Sequence, residues 1–395
     1  MIVLEKIKLN QETVSTIEFD LLIKILNGSE FTVKQSLMER VNWNEFLRLA
    51  FYHKVYPLVY QRLSQQSYNH IPEFVRQELH KPFLLNTMRM LSLVKEIEQV
   101  ALLFMQYNIP SIMLKGPLLS HELYDDLSSR TSNDIDLLIE LNNLDKVTEL
   151  LVSVGYKIKY QPPRLLKDWK IRNHHVEFFH EEKNCEIEVH WRLHPGPSKE
   201  PSFAEMWEKK EQTSITKTPI YHLGKEHLFY YLLTHGARHG WFRIRWITDV
   251  ICLINQTMNF EKQLIVLKEY QSVILFYQFI SLVEKLGFTV LPSITITSDR
   301  KAIALAEKAY VFIKEEINID HPPSKDWDIY AKRYLFQIKP YSQKCKFLIR
   351  KLYANSWDAE ILPLPRYLHF LYLPLRPVIW VWKQLIRQKV IYRRF

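Results

Sequence analysis

Residues 109–140 read IPSIMLKGPLLSHELYDDLSSRTSNDIDLLIE, and the fold turns on how this stretch alternates. Ile109–Leu114 is a short apolar run that predicts a buried strand, ended by a turn at Lys115–Gly116–Pro117. A proline just after the turn suits the first position of a helix, which the pattern carries through Tyr124. After the polar segment Arg130–Asn133, the residues of Asp134–Glu140 alternate with period two. Asp134 and Asp136 therefore share one face of a strand, and Ile135, Leu137 and Ile139 share the other.

Working outward, Leu144–Val154 predicts an amphipathic helix with Gly155 as its C′ residue. His175–His180 and Cys185–Trp191 predict a hairpin joined by the polar run Glu181–Asn184, with Glu186, Glu188 and His190 facing one way and Ile187 and Val189 the other. The flanks carry helical spacing instead. Upstream these are Trp43–Tyr60, with Phe46, Leu49, Val55, Leu58 and Val59, and a long helix over Phe83–Tyr107; Pro72 fits a further helix start. Downstream the spacing predicts helices over Phe229–His239, Trp246–Ile254, Phe260–Leu286 and Asp299–Ile317. Strands in the centre with helices on both sides make an α+β fold. The expected divisions are a helical region 1–107, an α+β core 108–222, a helical domain 223–330 and a basic, aromatic C-terminal region 331–395.

The chain has 395 residues, of which only 8 are glycine. That argues against a Rossmann site or a P-loop, both of which need several glycines close together. Six of them (Gly116, Gly155, Gly196, Gly224, Gly236 and Gly240) fall in the middle third, where the chemistry is to be sought. The formal charge of +10 is concentrated beyond Lys332, where Lys and Arg are opposed only by Asp358 and Glu360. Cys185, Cys252 and Cys345 are too far apart for a zinc ribbon and suggest no disulfide framework. The opening MIVLEKIKLNQ has no long apolar stretch, and no run is long enough to span a bilayer. The expected location is the cytoplasm, with peripheral contact at the inner membrane face through 363–395: Tyr367–Trp382 mixes aromatics and prolines, followed by KQLIRQKVIYRRF. The competing reading of this tail is a terminal helical hairpin packed on the body; a nucleic-acid partner is disfavoured, because no recognisable binding motif accompanies the basic residues.

Two acids one residue apart on a strand, with a third on a neighbouring strand, make a cup of oxygen ligands. Mg²⁺ takes oxygen ligands and completes its shell with water and substrate phosphates. A pair of such ions activates an attacking oxygen and stabilises a leaving pyrophosphate. Asp134 and Asp136 are the candidates to bridge the ions, and Glu188 to hold the ion beside the acceptor and take its proton. Lys115–Gly116 opens a helix, where backbone N–H groups favour phosphate, and Arg130 is suited to fork onto a triphosphate. The plainer alternatives are a surface lysine for Lys115, an ion pair with a loop carboxylate for Arg130 and a solvated hairpin position for Glu188.

These residues resemble a known group. The run LKGPLLSHELYDDLSSRTSNDIDLLIE, then EIEVHWRLH, then LLTHGARHGWFRIRWITDV, is similar to the bacterial "uncharacterised nucleotidyltransferase" family of the polymerase-β-like superfamily, over roughly Trp43 to residue 260. The resemblance implies a polymerase-β-like nucleotidyltransferase core with a small mixed sheet, flanked by N- and C-terminal helical regions. It also implies Asp134 and Asp136 as the paired metal carboxylates, Glu188 as the third, and Lys115, Gly116 and Arg130 on the phosphate side. The implied cofactor is Mg²⁺, with Mn²⁺ as a substitute, and the implied substrates are an NTP and an acceptor, in an accessory biosynthetic role. Here Gly116–Pro117 stands where many members carry Gly-Ser, and the third acid is Glu instead of Asp.

In the third motif His235 and His239 lie i, i+4 on one helix face, a spacing shared by metal sites, nucleotide-pocket walls and ordinary packing. Arg243, Arg245, Trp246 and Asp249 extend this motif: an Arg is a candidate to grip phosphate and Trp246 to stack on a base; alternatively Arg245 and Asp249 form an i, i+4 ion pair. His190–Trp191 is placed to shape the site beside Glu188, or simply to pack. The leading expectation is Mg²⁺-dependent transfer of a nucleoside monophosphate from an NTP to a small molecule, peptide or glycan precursor, releasing pyrophosphate. The alternatives are an Asp-x-Asp glycosyltransferase using a nucleotide-sugar, against which the helical first hundred residues argue, and a non-catalytic membrane-associated binding protein on the same fold.

Overall fold

A computed structural model describes residues 16–28, 38–65, 71–164, 166, 168–256, 260–289, 299–352, 355–379 and 381–382. The N-terminal segment MIVLEKIKLNQ and the last basic residues of the 363–395 membrane expectation lie outside them.

Three helices come first: α1 (Ile17–Asn27), α2 (Trp43–Tyr52) and α3 (Tyr56–Gln65). Thr16 caps α1 and Asn42 caps α2, each through a side-chain oxygen that accepts a backbone N–H of the first turn. Helix α4 (Glu73–Gln106) follows. The sequence expectation of a helix beginning at Phe83 is too short by a turn and more: α4 starts directly after Pro72 and runs through Pro82. Proline removes one helical hydrogen bond, and the helix packing on either side holds it through the gap.

The sheet is built from β1 (Ser111–Met113), β2 (Asp134–Ile139), β3 (Lys157–Tyr160), β4 (His175–His180), β5 (Cys185–His190), β6 (Glu211–Gln212) and β7 (Tyr221–His222), in the order β3-β4-β5-β2-β1-β7-β6. Parallel pairing of β2 with β5 and of β1 with β7, beside antiparallel pairs, makes it mixed. The strand, turn and helix of the opening stretch form as expected, with α5 at Pro117–Tyr124, and so does the β4–β5 hairpin. Strands β3, β6 and β7 were not expected: two are dipeptides, and Lys157–Tyr160, though it alternates, is four residues long and largely exposed. Helix α6 (Leu144–Ser153) crosses between β2 and β3, and the short α7 (Trp169–Arg172) and α8 (Phe203–Glu208) flank the hairpin.

Helices α9 (Lys225–Arg238), α10 (Ile244–Gln256), α11 (Glu261–Glu269), α12 (Val273–Leu286) and α13 (Arg300–Lys314) follow. The single helix expected over Phe260–Leu286 is two, because the chain turns at Tyr270–Ser272, with Gln271 at φ 57°. Helices α14 (Lys325–Gln337), α15 (Tyr341–Leu352) and α16 (Ser356–Ile361) close the described chain, with a helical segment over 372–379.

Two apolar cores meet the sheet from opposite sides. One gathers Ile135, Leu137 and Ile139 with the C-terminal half of α4, α6, Val176, Phe178, Ile187 and Val189. The other joins α1–α3 and the start of α4 to α9–α14 and touches the sheet through Ile112, Leu114 and Leu138. The period-two reading of β2 is thereby borne out: 135, 137 and 139 face the first core, and the face of Asp134 and Asp136 reaches the second at Leu138. Residues 356–379 pack against the core near Leu166: the Tyr372 hydroxyl donates to the Leu362 carbonyl, and Ser356 meets Asp168 at 2.7 Å. None of the described helices is long and apolar enough to cross a membrane.

Candidate active site

Where the sheet face bearing Asp134 and Asp136 parts from the helical core, a cavity of about 650 Å³ opens. Its walls come from β2, β4, β5, the Lys115 turn, α9, the start of α10 and residues 318–321.

Parallel pairing sets Asp136 of β2 opposite Glu188 of β5. Asp136, Glu188 and His190 each present a ligand atom within 4.8 Å of the others. The His190 Nε2 lies 3.2 Å from Asp136 Oδ1 and 3.1 Å from Glu188 Oε2, so one ring ties both acids together. Lys115 Nζ sits 3.5 Å from Asp136 Oδ1 and over the Tyr231 ring. Burial opposes charge on Asp136, but Lys115 and the His190 hydrogen bond outweigh it and hold the carboxyl below its usual range. Lys115 responds in kind: burial alone would lower it, and Asp136, Glu188 and Asp134 raise it above an ordinary lysine. Glu188 is likewise held low by His190 against burial. Asp134 lines the same cavity and accepts the Ser132 hydroxyl at 3.0 Å, yet burial and the nearby Asp136 push its carboxyl up. Two acids with opposite shifts on one strand face make an asymmetric pair.

Gly116 takes φ 80° at the N-cap of α5, a conformation that favours glycine, and Pro117 occupies the first helical position as the sequence suggests. Lys115 lines the cavity, whereas Gly116 stands behind it against the backbone of Asp134.

The Arg130 guanidinium is held by Asp249, with Nε 2.9 Å from Oδ1 and the terminal Nη2 2.8 Å from Oδ2. The alternative Arg245–Asp249 pair therefore does not form. Arg245 instead donates to the Thr131 carbonyl at 2.7 Å, and burial, with Arg130 close by, pushes it down to about 10. Lys54 and Arg243 enter the same cavity and are lowered by burial, Lys54 also by Arg243 and Arg245. Among the described residues no carboxylate lies within ion-pair distance of Lys54, Arg243 or Arg245. Such a group of like charges is stabilised by an anion.

His235 and His239 both line the cavity. His239 is committed on both nitrogens, Nδ1 at 2.6 Å from Asp320 and Nε2 at 3.1 Å from Arg238, and the Trp246 ring stacks on it at 5.2 Å. Burial, then Lys115, keep His235 well below the ordinary histidine range. Trp191 packs edge-on against Trp169 and donates to the Lys170 carbonyl, so it supports the wall from behind.

Sequence reasoning gathered Asp134, Asp136, Glu188, Lys115, Gly116, Arg130, His235, His239 and Arg245 at one site, and all of them but Gly116 line the cavity. It missed Lys54, His174, His175, Glu177, Arg238 and Asp320 as cavity residues, while Arg243, named beside Arg245 as a phosphate candidate, lines the cavity too. For His175 and Glu177 a signal existed: on the first hairpin strand they alternate in step with Glu188 and His190. For Lys54, between two helices, there was none.

A family model described as "Uncharacterised nucleotidyltransferase" matches residues 39–287. No curated protein matches the chain.

Proposed function

The chain belongs to the Uncharacterised nucleotidyltransferase family, and from that premise we propose that it transfers a nucleoside monophosphate from an NTP to an acceptor hydroxyl with release of pyrophosphate. One observation carries this reading: the carboxylates of Asp136 and Glu188 and the uncompensated cations Lys54, Arg243 and Arg245 share a single cavity. The α+β fold and mixed sheet accord with it, and no strand precedes Ser111 among the described residues, which disfavours the nucleotide-sugar alternative.

The donor set suits a hard divalent cation: the close oxygens of Asp136 and Glu188, with Asp134 on the same face. Bound there, Mg²⁺, or Mn²⁺ in its place, would neutralise charge on the triphosphate and on the departing pyrophosphate. Lys54, Arg243 and Arg245 grip the β- and γ-phosphates, and Lys115 fixes Asp136. Glu188 orients the acceptor hydroxyl and takes its proton as the new O–P bond forms at the α-phosphorus; the bond to the β-phosphate oxygen breaks, and pyrophosphate leaves with its electron pair. His190 keeps both acids in register. In the proposed division of the chain, the core 108–222 holds the acids and the helical domain 223–330 brings His235, His239 and Arg245. The acceptor is a small molecule, a peptide or a glycan precursor. A cytoplasmic protein in peripheral contact with the membrane is supported by the exposed Tyr367, Phe370 and Trp382.

The test is incubation with each labelled NTP, Mg²⁺ and a bacterial lysate, followed by identification of what becomes labelled. Label transfer with one pyrophosphate released per event, lost in Asp136→Asn, supports the reading. Full transfer by Asp136→Asn, or no transfer from any NTP, overturns it.

A further inference from the structure

Beside the acids lies a second set of ligands with different chemistry. His174 precedes β4, His175 begins it, and His190 ends β5 directly opposite His175 in the hairpin register. Their ring centroids are 4.3 Å (His174–His175), 5.1 Å (His175–His190) and 5.3 Å (His174–His190) apart, and one nitrogen from each lies within 4.8 Å of the others.

The hydrogen bonds decide which nitrogens are free. His175 Nε2 is 3.2 Å from Glu177 Oε1, and His190 Nε2 faces Asp136 and Glu188. A carboxylate oxygen only accepts, so in both rings Nε2 carries the hydrogen, and in the neutral imidazole that a metal binds Nδ1 holds the lone pair. By the same reasoning His174 Nε2 donates to His175 Nδ1, at 3.1 Å, close to the ~3.3 Å between neighbouring ligand nitrogens around a tetrahedral zinc with bonds of about 2.0–2.1 Å; a bound ion takes the place of that shared hydrogen, with the His174 proton on Nδ1. His190 Nδ1 is buried with no hydrogen-bond partner, in a residue only 3% exposed. A buried ring nitrogen without a partner is costly, and a cation satisfies it.

We propose that His174 Nε2, His175 Nδ1 and His190 Nδ1 bind one borderline divalent transition-metal ion of the Zn²⁺ class, separate from the hard cation assigned to Asp134, Asp136 and Glu188. Neutral imidazole nitrogens select Zn²⁺ over Mg²⁺, which takes oxygen. Each ligand that can be traced has the supporting carboxylate typical of a metal-bound histidine: Glu177 behind His175, and Asp136 with Glu188 behind His190. With the ion on Nδ1, the His190 ring is fixed with its Nε2–H directed at the two acids. The open side of the His₃ set faces the cavity, since all three residues line it. The site stands on these imidazoles alone and does not require that the neighbouring acids bind Mg²⁺.

The experiment strips the full-length protein with a chelator, then titrates it with Co²⁺, read by its visible d–d absorption, and with Zn²⁺, read as bound metal per chain. The expected result is one ion per chain, retained in millimolar Mg²⁺ and in Asp134→Asn. Affinity falls in His174→Ala and in His175→Gln by more than the roughly 10- to 100-fold that loss of a ligand's supporting partner costs, with circular dichroism unchanged. No stoichiometric binding, displacement by Mg²⁺, or affinity unchanged in both histidine variants overturns the proposal. Should either variant misfold, His175→Asn and competition by Zn²⁺ for the Co²⁺ bands in the unaltered protein decide it: bands that Zn²⁺ leaves in place also overturn it.

Discussion

Arg130 and Asp249 stand 119 residues apart in sequence and meet in a two-pronged ion pair, with Nε–Oδ1 at 2.9 Å and Nη2–Oδ2 at 2.8 Å, and each is all but closed to solvent. Asp249 also accepts the Tyr124 hydroxyl at 3.0 Å, so α5, the segment before β2 and α10 are pinned at one point. Removing one member of such a buried pair leaves an isolated charge, which costs roughly 3–5 kcal/mol. Arg130→Met is expected to lower the denaturation midpoint accordingly, and adding Asp249→Leu is expected to restore most of it. A double variant no more stable than Arg130→Met would show that the pair is not the source.

Arg245 has a different fate. Its guanidinium lines the cavity and rests on the Thr131 carbonyl without a carboxylate. Arg245→Met is expected to raise KM for the NTP by about 10- to 100-fold, the worth of a charge-assisted hydrogen bond of roughly 1.5–3 kcal/mol, while Tm shifts by little. Initial-rate kinetics beside a thermal melt separate this from the Arg130 effect.

Asp136→Asn keeps the size of the side chain but halves the anionic charge that Lys115 and His190 address. Transfer is expected to fall by about 10³-fold in kcat, roughly 4 kcal/mol of lost stabilisation. Nucleotide binding, measured by equilibrium dialysis without turnover, should change far less, because Lys54, Arg243 and Arg245, the cations proposed to grip phosphate, remain.

How much of this was legible beforehand depends on the range of each interaction. The Asp134/Asp136 face, the β4–β5 hairpin and the flanking helices follow from periods of two and 3.6, which any local window reveals. The Arg130–Asp249 pair is invisible at that range: the i, i+4 partner Arg245 is the nearer reading, and only the fold shows that α10 turns Asp249 toward Arg130. Lys54 enters the cavity from the three-residue break between α2 and α3, with φ 58°. The break at Gln271 carries neither glycine nor proline, so nothing local marked it. The long helix read from Phe83 in fact continues back through Pro82 to Glu73, although a proline usually starts or ends a helix.

His53 is fully buried, with Nδ1 accepting the Ile244 N–H at 3.4 Å. Burial first, then Arg48, Arg243 and Lys314, depress it to about 3 from 6.5. Below pH 6.5 the unfolded chain takes up a proton that the native state refuses, so stability falls as pH drops from 6.5 toward 3 and is fully present above 6.5. The slope is roughly 1.4 kcal/mol per pH unit for one such group. Tm measured from pH 7 to pH 5 should flatten in His53→Gln relative to the parent; equal slopes would remove His53 from the account.

Gly116 has room for a methyl group, the nearest non-neighbouring atom to an added Cβ being the Asp134 carbonyl oxygen at 3.7 Å. Its φ of 80° with ψ −149° is nonetheless a conformation almost confined to glycine. Gly116→Ala is expected to cost about 1–3 kcal/mol through the backbone alone, read by urea denaturation.

The Asp320 carboxylate that holds His239 lies beyond residue 287, as do Asn318 and His321 in the same wall. Chemistry and enclosure therefore have separate addresses in the chain: the acids and cations sit within the stretch that the family shares, and one wall of the vessel is supplied from outside it. A protein cut after residue 287 would keep every charge in the proposed reaction and lose the carboxylate that holds His239, leaving the chamber open on one side.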